Sequence, residues 1–516
     1  MKKRSWHHSG WKSLPVCVVS KALLTGVWTC LFIASCPAAI VLSIDYSLDE
    51  NGFFSGDQGV SRKAALEMAC EAFEGIFSDH LLPIVPDEGN TWSAMGFHPA
   101  TGDPGVLAEH RTIPADTIVI FAGGRPLPSG NVAQGGPGGW SASYTQVAWI
   151  DQLMNRGQTG ITDGLGNQLE EISDFSLWGG TITFDNDSTV WHTQPEANVP
   201  EGQFDFYTAA LHELAHALGF GTSDSWLQQV VDGKLDGRYS SMGYGADAVP
   251  LHAAGEGALF SHWIDGVGSA GLVDLSWQPT TMGPYLSHGE QRRMTYLDAL
   301  GLADVGWSVR LPSLPDAEGN RGALTRLMGE VRLREAAGAP IEGVRLLARH
   351  DRLAFESSSE VSGAYALSVY ANTEYHLTAQ KDHESRANRG VDVSDIVLMR
   401  KHILSAERLD SLVSRVAADV NRDHSIDVLD IVAMRKMILG MRDDYASESS
   451  PQSAANSTNS TNWRLLDARI AELPDQASLE EVQAYEGRSF TGVNADFLDV
   501  DWLAVKLGDV NGDWQP

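Results

Sequence analysis

The chain has 516 residues, too many for one hydrophobic core, so we expect about two to four domains. Its hydrophobic fraction of 43% and charged fraction of 20% are those of a folded globular protein. The formal net charge of -30 at pH 7 repels nucleic acid and anionic lipid, and we exclude nucleic acid as a partner. Such a charge suits an extracellular or calcium-binding protein.

Residues 1–39 have the layout of an export signal. Basic residues occupy positions 2–4, an apolar run extends from Ala22 to Leu42, and small residues near its end provide cleavage positions. The run is nearly long enough to cross a bilayer, so a retained membrane anchor is one alternative. The motif IASC ending at Cys36 resembles a bacterial lipobox, which makes lipid anchoring at the cell surface another. The layout favours a cleaved signal and a secreted protein.

Residues 40–312 alternate strand-like and helix-like segments, which predicts an α+β domain with a twisted sheet packed on long helices. Helical spacing occurs between residues 60 and 80 and between 203 and 220. Cys70 lies in the first of these segments and is expected to be a buried thiol, because the other three cysteines precede residue 40. Strands are expected at Ile40–Tyr46, Thr117–Phe121 (ended by Gly123 and Gly124) and Trp178–Asp185.

The segment HELAHALGFG at 212–221 carries the most specific motif of the chain. His212 and His216 are four residues apart on an expected helix, so both imidazoles lie on one face and can bind one metal ion. Glu213, beside the first histidine, can serve as a general base towards water. Because catalytic zinc takes three protein ligands and keeps one position open, the motif predicts a hydrolytic zinc site.

The third zinc ligand has three candidates. The pattern HExxHxxGxxH requires a histidine at position 222, where this chain has Thr222, although Gly219 fits the pattern. Asp224 is close along the chain, and His252 and His262 lie farther on, across a loop. The coordination geometry of zinc alone permits each of them.

Several separated motifs make residues 40–310 similar to exported bacterial metalloproteases related to the leishmanolysin branch of the metzincins. In that branch an insertion separates the zinc helix from the third histidine, so the resemblance implies His262 as the third ligand. It also implies a methionine turn at Met282, an α+β metzincin-like fold, and a zinc endopeptidase acting on protein or peptide substrates. Tyr285 is then a candidate donor to the oxyanion. The motifs are HELAHALGFG, SHW (261–263), TMGPY (281–285), YLDAL (296–300) and ADVGW (303–307).

For such an enzyme, the strand around Trp178–Asp185 is the candidate edge that binds substrate as an added strand. Two other functions fit the sequence: a non-catalytic cell-surface scaffold stabilised by zinc and calcium, and a hydrolase of non-peptide substrates. Glu213 argues against the scaffold, since a structural zinc site has no use for a carboxylate beside an open position.

The part of the chain from residue 325 onward differs in pattern. Short alternating segments with turn residues predict a small β-sandwich at 325–382, similar to carboxypeptidase-regulatory modules and without catalytic residues. Residues 383–443 contain a repeat described below, and 444–462 are a Ser-, Asn- and Thr-rich flexible linker. Residues 463–516 form a C-terminal segment.

The repeat consists of 391–404 and 426–439, which are offset by 35 residues and match at ten of fourteen positions. The twelve residues 419–430 fit a calcium loop, with side-chain oxygens at positions 1, 3, 5, 9 and 12 and a backbone carbonyl at position 7. The loop resembles a dockerin repeat, in which aspartate at position 12 is normal. The expected Ca²⁺ ligands are Asp419, Asn421, Asp423, Ser425, Asp427 and Asp430.

The first copy of this loop is degraded. Counting back from Asp395 places Asp392 at position 9 but Arg386 at position 3, where a cation opposes calcium binding, so we expect weak binding or none. The chain ends with the beginning of another loop, Asp509–Asp513, too close to the terminus for a following helix. Positions 10 and 11 depart from the dockerin recognition pattern, so the resemblance implies only calcium-dependent docking of a partner, or folding.

Overall fold

The computed structural model describes 40–128, 130–158, 175, 177–253, 260–314, 323–334, 337–381, 387–445 and 462–515, and the backbone of 2–5. The predicted export signal, Cys36, Arg386 and nearly all of the predicted linker lie outside the described residues. The chain divides into two compact units, one ending at Leu311 and one beginning at Pro312. Within these ranges, no helix is long and apolar enough to cross a membrane.

The first unit combines helices with several small sheets, so the predicted mixture of helix and strand is confirmed. Its helices are α1 (Gly56–Glu74), α2 (Val147–Asn155), α3 (Phe206–Ala217), α4 (Asp224–Gln228), α5 (Arg238–Tyr244) and α6 (Tyr296–Val305). Its longer strands are β1 (Lys2–Ser5), β2 (Val41–Asp45), β3 (Thr91–Phe97), β4 (Pro104–Glu109), β5 (Thr117–Arg125), β6 (Ala133–Pro137), β7 (Gly139–Tyr144) and β8 (Gly179–Asp185). Short strands follow at β9 (Trp191–His192), β10 (Phe204–Asp205), β11 (Val230–Val231), β12 (Lys234–Leu235), β13 (Val249–Pro250), β14 (Gly268–Ala270), β15 (Trp277–Pro279) and β16 (Val309–Pro312).

Strand β5 continues through the glycine pair that was expected to end it. A Cβ atom on Gly124 would lie 2.5 Å from the ring of Phe53, and one on Gly123 would lie 3.1 Å from Pro99. The two glycines therefore permit close packing against the sheet, and the expectation that they end the strand was wrong. Cys70, in α1, is buried as expected.

The sheet that positions the site has the order β2-β5-β8-β6. Strands β2, β5 and β8 are parallel, and β6 runs antiparallel to β8 at the edge. Because β8 has a neighbour on each side, the prediction that Trp178–Asp185 is an edge strand was wrong, and the edges of this sheet are β2 and β6. A Cβ on Gly180 would lie 2.6 Å from Ala217, and one on Gly135 would lie 2.5 Å from the carbonyl oxygen of Glu213. Both glycines let α3 approach the sheet closely.

The second unit contains two sheets and a group of helices. One sheet has the order β20-β17-β24-β22, and β19, β18, β21 and β23 are consecutive neighbours in the other. Strands from the C-terminal segment join both sheets, so the β structure includes residues beyond the predicted range 325–382. The strands are β17 (Leu324–Leu333), β18 (Val344–His350), β19 (Leu353–Ser358), β20 (Ala364–Tyr370), β21 (Thr373–Lys381), β22 (Trp463–Asp467), β23 (Gly487–Val493) and β24 (Trp502–Lys506).

The sequence repeat forms two matching helices. Helices α7 (Val393–Ile403) and α9 (Val428–Ile438) begin 35 residues apart, and each has an aspartate capping box at its N-terminus. Their apolar faces share one core with Leu507 and Val510 from the end of the chain. The remaining helices are α8 (Leu412–Ala418), α10 (Leu479–Val482) and the 3-10 turns Ala468–Glu472 and Gln483–Tyr485.

Candidate metal centre

Helix α3 carries the HELAH segment, and its ends are fixed by local chemistry. The Asp205 carboxylate caps the N-terminus by accepting the Thr208 amide at 2.9 Å. The helix ends at Ala217, and the chain then turns through Gly219 at φ 96° and Gly221 at φ 68°, conformations that favour glycine. The helix start and stop predicted from the sequence are therefore confirmed.

Three histidine side chains converge at one point. The Nε2 atoms of His212 and His262 are 3.0 Å apart, and His216 Nε2 lies 3.1 Å from each of them. Among the described residues, this is the one group of three or more His, Cys, Asp or Glu whose ligand atoms all lie within 4.8 Å of one another. Asp224 and His252, the other candidates for the third ligand, are not in the group. The three histidines can together bind a metal ion.

The other ring nitrogen of each histidine is held by an oxygen atom. His212 Nδ1 donates to the Thr281 carbonyl at 2.9 Å, and His216 Nδ1 donates to the Phe220 carbonyl at 2.8 Å. His262 Nδ1 lies 3.0 Å from Ser261 Oγ. In neutral imidazoles oriented in this way the Nε2 lone pairs face one another, an arrangement that is repulsive without a cation between them.

The protonation states also suit a metal ligand set. Burial lowers the pKa of His212 to about 3 and that of His216 to about 4, and it lowers the pKa of His262 as well. All three rings are therefore neutral near pH 7, which is the form that binds a metal. Tetrahedral zinc with nitrogen ligands at about 2.0–2.1 Å separates those nitrogens by about 3.3 Å, close to the observed spacing.

Glu213 and the histidines line the same open cavity, which has a volume of about 380 Å³. The Glu213 carboxyl is buried, and burial raises its pKa to about 8. A cation bound by the histidines would favour the ionised carboxylate and lower this pKa. The edge strand β6 borders the cavity through Ala133, Gln134 and Gly135. The cavity thus combines a candidate base, a candidate set of metal ligands and a strand edge.

Asp298, in α6, connects the two loops that hold the histidines. Its buried carboxylate accepts the Thr281 amide at 2.9 Å, the Met282 amide at 3.2 Å and the Trp263 indole at 3.1 Å. Thr281 in turn holds His212, and Trp263 follows His262. Sequence reasoning quoted the segment that contains Asp298 but assigned it no role, since its partners are distant in sequence. A positioning role for this carboxylate follows from the contacts.

The segment after Met282 contributes the cavity wall. Met282 is buried, and its carbonyl accepts the Trp263 amide at 3.0 Å. Tyr285 lines the cavity with 59% of its surface exposed, and its hydroxyl lies 3.5 Å from Nε2 of His252. Arg292 holds this segment by donating to the Tyr285 carbonyl at 2.8 Å. Sequence reasoning missed Arg292, for which no motif gave a signal.

No protein-family model matches the chain, and no curated protein is significantly similar to it.

The predicted calcium loop at 419–430 folds as a turn that leads into α9. The Asp430 carboxylate accepts the amides of Val420 at 3.0 Å and Asn421 at 3.3 Å. Asp419 is fully buried, and its Oδ2 has no hydrogen-bond partner. Asp423 accepts the Ser425 amide at 2.9 Å. The loop brings together carboxylate and amide oxygens, the ligand types that calcium takes.

Proposed function

We propose that the protein is a zinc-dependent endopeptidase of the metzincin type, with His212, His216 and His262 as the zinc ligands. The observation that carries the proposal is the convergence of three neutral imidazoles, each anchored through Nδ1, in a cavity that also contains Glu213. A purely structural zinc site is closed by four protein ligands, and no fourth ligand joins this group among the described residues.

Zinc supplies Lewis acidity to a scissile carbonyl and makes water a stronger acid. Glu213 accepts the proton as the water oxygen bonds to the carbonyl carbon, and it returns the proton to the amine nitrogen as the C–N bond breaks. The buried position of Glu213 excludes competing solvent from that transfer. Tyr285 is the candidate donor to the developing oxyanion, since its ring lines the same cavity.

Strand β6 supports a peptide as the substrate. Its partner is β8, so its other edge presents backbone groups beside the cavity. An extended peptide can pair with such an edge as an added strand, which places its backbone across the metal centre. A small non-peptide substrate would have no use for this edge.

The proposal extends to the second unit and to the location of the protein. We propose that the loop Asp419–Asp430 binds calcium and stabilises a docking or folding module. Calcium at millimolar concentration and a net charge of -30 both suit a protein exported to the outside of the cell.

Hydrolysis of casein, an unstructured protein, tests the enzyme. The zinc-loaded full chain should cleave casein, a zinc chelator should stop cleavage, and Glu213→Gln should abolish it while zinc remains bound stoichiometrically. Glu201→Gln, an exposed residue of the same unit, is the matched control and should retain activity. A zinc-loaded chain that leaves casein intact, or a Glu213→Gln variant that still cleaves it, would contradict the proposal.

A further inference from the structure

The terminal segment Asp509–Asp513 has the same local structure as Asp419–Asp423, the first five residues of the proposed calcium loop. Asp509 Oδ1 accepts the Asp513 amide at 3.0 Å, and the equivalent bond from Asp423 to Asp419 measures 3.1 Å. The asparagine at the third position accepts the same amide, at 2.9 Å in the terminal segment and 3.1 Å in the loop. The fourth residue has positive φ in both, 78° at Gly512 and 58° at Arg422.

The terminal segment also contacts α7 in the same way that the loop 419–430 contacts α9. Asp395, in the first turn of α7, accepts the Val510 amide at 2.8 Å and the Asn511 amide at 3.0 Å. Asp430 in α9 makes the same pair of bonds to residues of its own loop, as described above. Asp392 caps α7 as its equivalent, Asp427, caps α9. The end of the chain thus occupies the position before α7 at which the degraded first copy of the loop was expected.

A buried oxygen without a donor lies at this junction. The Asp509 side chain is fully buried, and its Oδ2 has no hydrogen-bond partner. The guanidinium of Arg334 lies 3.7 Å from that oxygen, beyond hydrogen-bond distance, and donates to the Asp509 carbonyl instead. Asp419 has the same features, with Arg464 at 3.6 Å. At both positions the buried oxygen therefore has an arginine as its ion-pair partner but accepts no hydrogen bond, which leaves it able to bind a metal ion.

The terminal segment is held in place by packing. Val510 is buried in the core that the two repeat helices share. The next anchor is Trp514, which is buried against Gly390, where a Cβ atom would lie 2.6 Å from the tryptophan. An open hollow of about 400 Å³ lies beside this contact, and Arg389, Gly390, Asp392 and Asp513 are among the residues that border it. The chain terminus is therefore packed against the module, and Asp513 of the terminus and Asp392 at the start of α7 both border the hollow.

We propose that the terminal segment and the start of α7 together form a second calcium site. By equivalence with 419–430, the side chains at positions 1, 3, 5, 9 and 12 are Asp509, Asn511, Asp513, Asp392 and Asp395. The backbone carbonyl of Gly390 takes position 7, 35 residues before Ser425. Residues before Gly390, including Arg386, are then not needed as ligands. The ligand assignment rests on the proposed calcium loop at 419–430, whereas it is independent of the peptidase.

Binding requires a side-chain rotation in both loops. In the described residues no three carboxylates approach one another within 4.8 Å. Calcium loops also use amide and carbonyl oxygens as ligands, so the proposed sites do not require such a group. The Asn511 amide nitrogen donates to the Asp513 carboxylate at 3.0 Å, and Asn421 donates to Asp423 at 2.8 Å. An ion releases these contacts, and each asparagine then presents its amide oxygen.

Calcium stoichiometry by isothermal titration of the full chain tests the second site. Asp513 and Asp423 are exposed and equivalent, so Asp513→Ala and Asp423→Ala remove one ligand from one site each without disturbing the core. The wild type should bind two calcium ions per chain, each single variant one, and the double variant none. Asp410→Ala, an exposed acidic residue outside both loops, should still bind two.

The outcomes separate the two calcium sites. Two ions bound by Asp513→Ala, or one ion in the wild type that Asp423→Ala alone abolishes, would overturn the second site and leave the first standing. One wild-type ion that only Asp513→Ala abolishes would support the second site and contradict the first. A wild type that binds no calcium would overturn both. With calcium, hydrogen exchange of the Val510–Asp513 amides should slow in the wild type and remain unchanged in Asp513→Ala.

Discussion

Replacing Asp298 by alanine tests whether this carboxylate positions the proposed zinc ligands without being a ligand itself. The carboxylate accepts the backbone amides of Thr281 and Met282 and the indole N–H of Trp263, all within 3.2 Å. Alanine leaves these three buried donors without an acceptor. Each such donor costs about 1–3 kcal/mol, and the Thr295 amide and hydroxyl lose the same acceptor, so we expect the free energy of unfolding to fall by at least about 3 kcal/mol.

The same substitution should weaken zinc binding. Thr281 orients His212 through its carbonyl, and Trp263 is bonded in sequence to His262, so the loss of Asp298 frees both ligands to move. Removal of such supporting groups typically lowers metal affinity by about 10- to 100-fold. Competition with a chromogenic chelator measures the zinc affinity, and unfolding in urea measures the stability.

Asp304→Ala is the matched control, because Asp304 lies at the other end of α6 and is equally buried. Its carboxylate accepts the amides of Tyr239 at 2.7 Å and Ser240 at 2.9 Å, neither of which belongs to the zinc cavity. This variant should lose stability but keep the wild-type zinc affinity. Equal zinc affinities in Asp298→Ala and the wild type, or an equal loss in both variants, would refute the positioning role.

Three further predictions follow from the first unit. His262→Ala should reduce zinc binding to near background, whereas His252→Ala should leave the stoichiometry unchanged; the reverse result in metal analysis would reassign the third ligand. Gly135→Ala should impair both folding and casein cleavage, because its Cβ would lie within 3 Å of the backbone of α3. Gly105→Ala, whose Cβ would meet nothing within 4 Å, should behave as wild type. Burial raises the pKa of Asp304 to about 6, above about 3.9 in an unfolded chain, so the wild type should lose up to about 3 kcal/mol of stability relative to Asp304→Asn as pH rises from about 4 to 6. Urea unfolding of both proteins across that range measures the stability of the wild type relative to Asp304→Asn. A relative stability that stays constant or increases with pH would show that the carboxyl is not protonated in the folded protein.

Local patterns predicted the parts of the site that lie close together in sequence. His212 and His216 are one helical turn apart, and the glycines after Ala217 end the helix where the motif required. Here the backbone geometry of a helix determines which side chains meet, so four residues of sequence contain the necessary information. The same holds for α7 and α9, whose capping aspartates mark their first residues.

Contacts between distant segments could not be obtained from periodicity. The expectation of His262 came from a resemblance, since geometry alone left Asp224 and His252 open. The order of strands in a sheet also depends on contacts between distant segments. The sequence pattern indicates that β8 is buried, but it does not indicate which strands lie beside it. Asp298 was missed for a related reason, since an aspartate inside a helix gives no sign of the two loops that donate to it.

The glycines of the first unit show how one residue type misleads local reasoning. Gly123 and Gly124 are turn signals in sequence, yet both lie within β5, where a side chain would collide with Pro99 or Phe53. A glycine that permits a turn and a glycine that permits close packing against a strand are identical in the sequence, and they differ only in their surroundings in the fold. The neighbours that decide between them are about 24 and 71 residues away, and only the packed sheet brings them together.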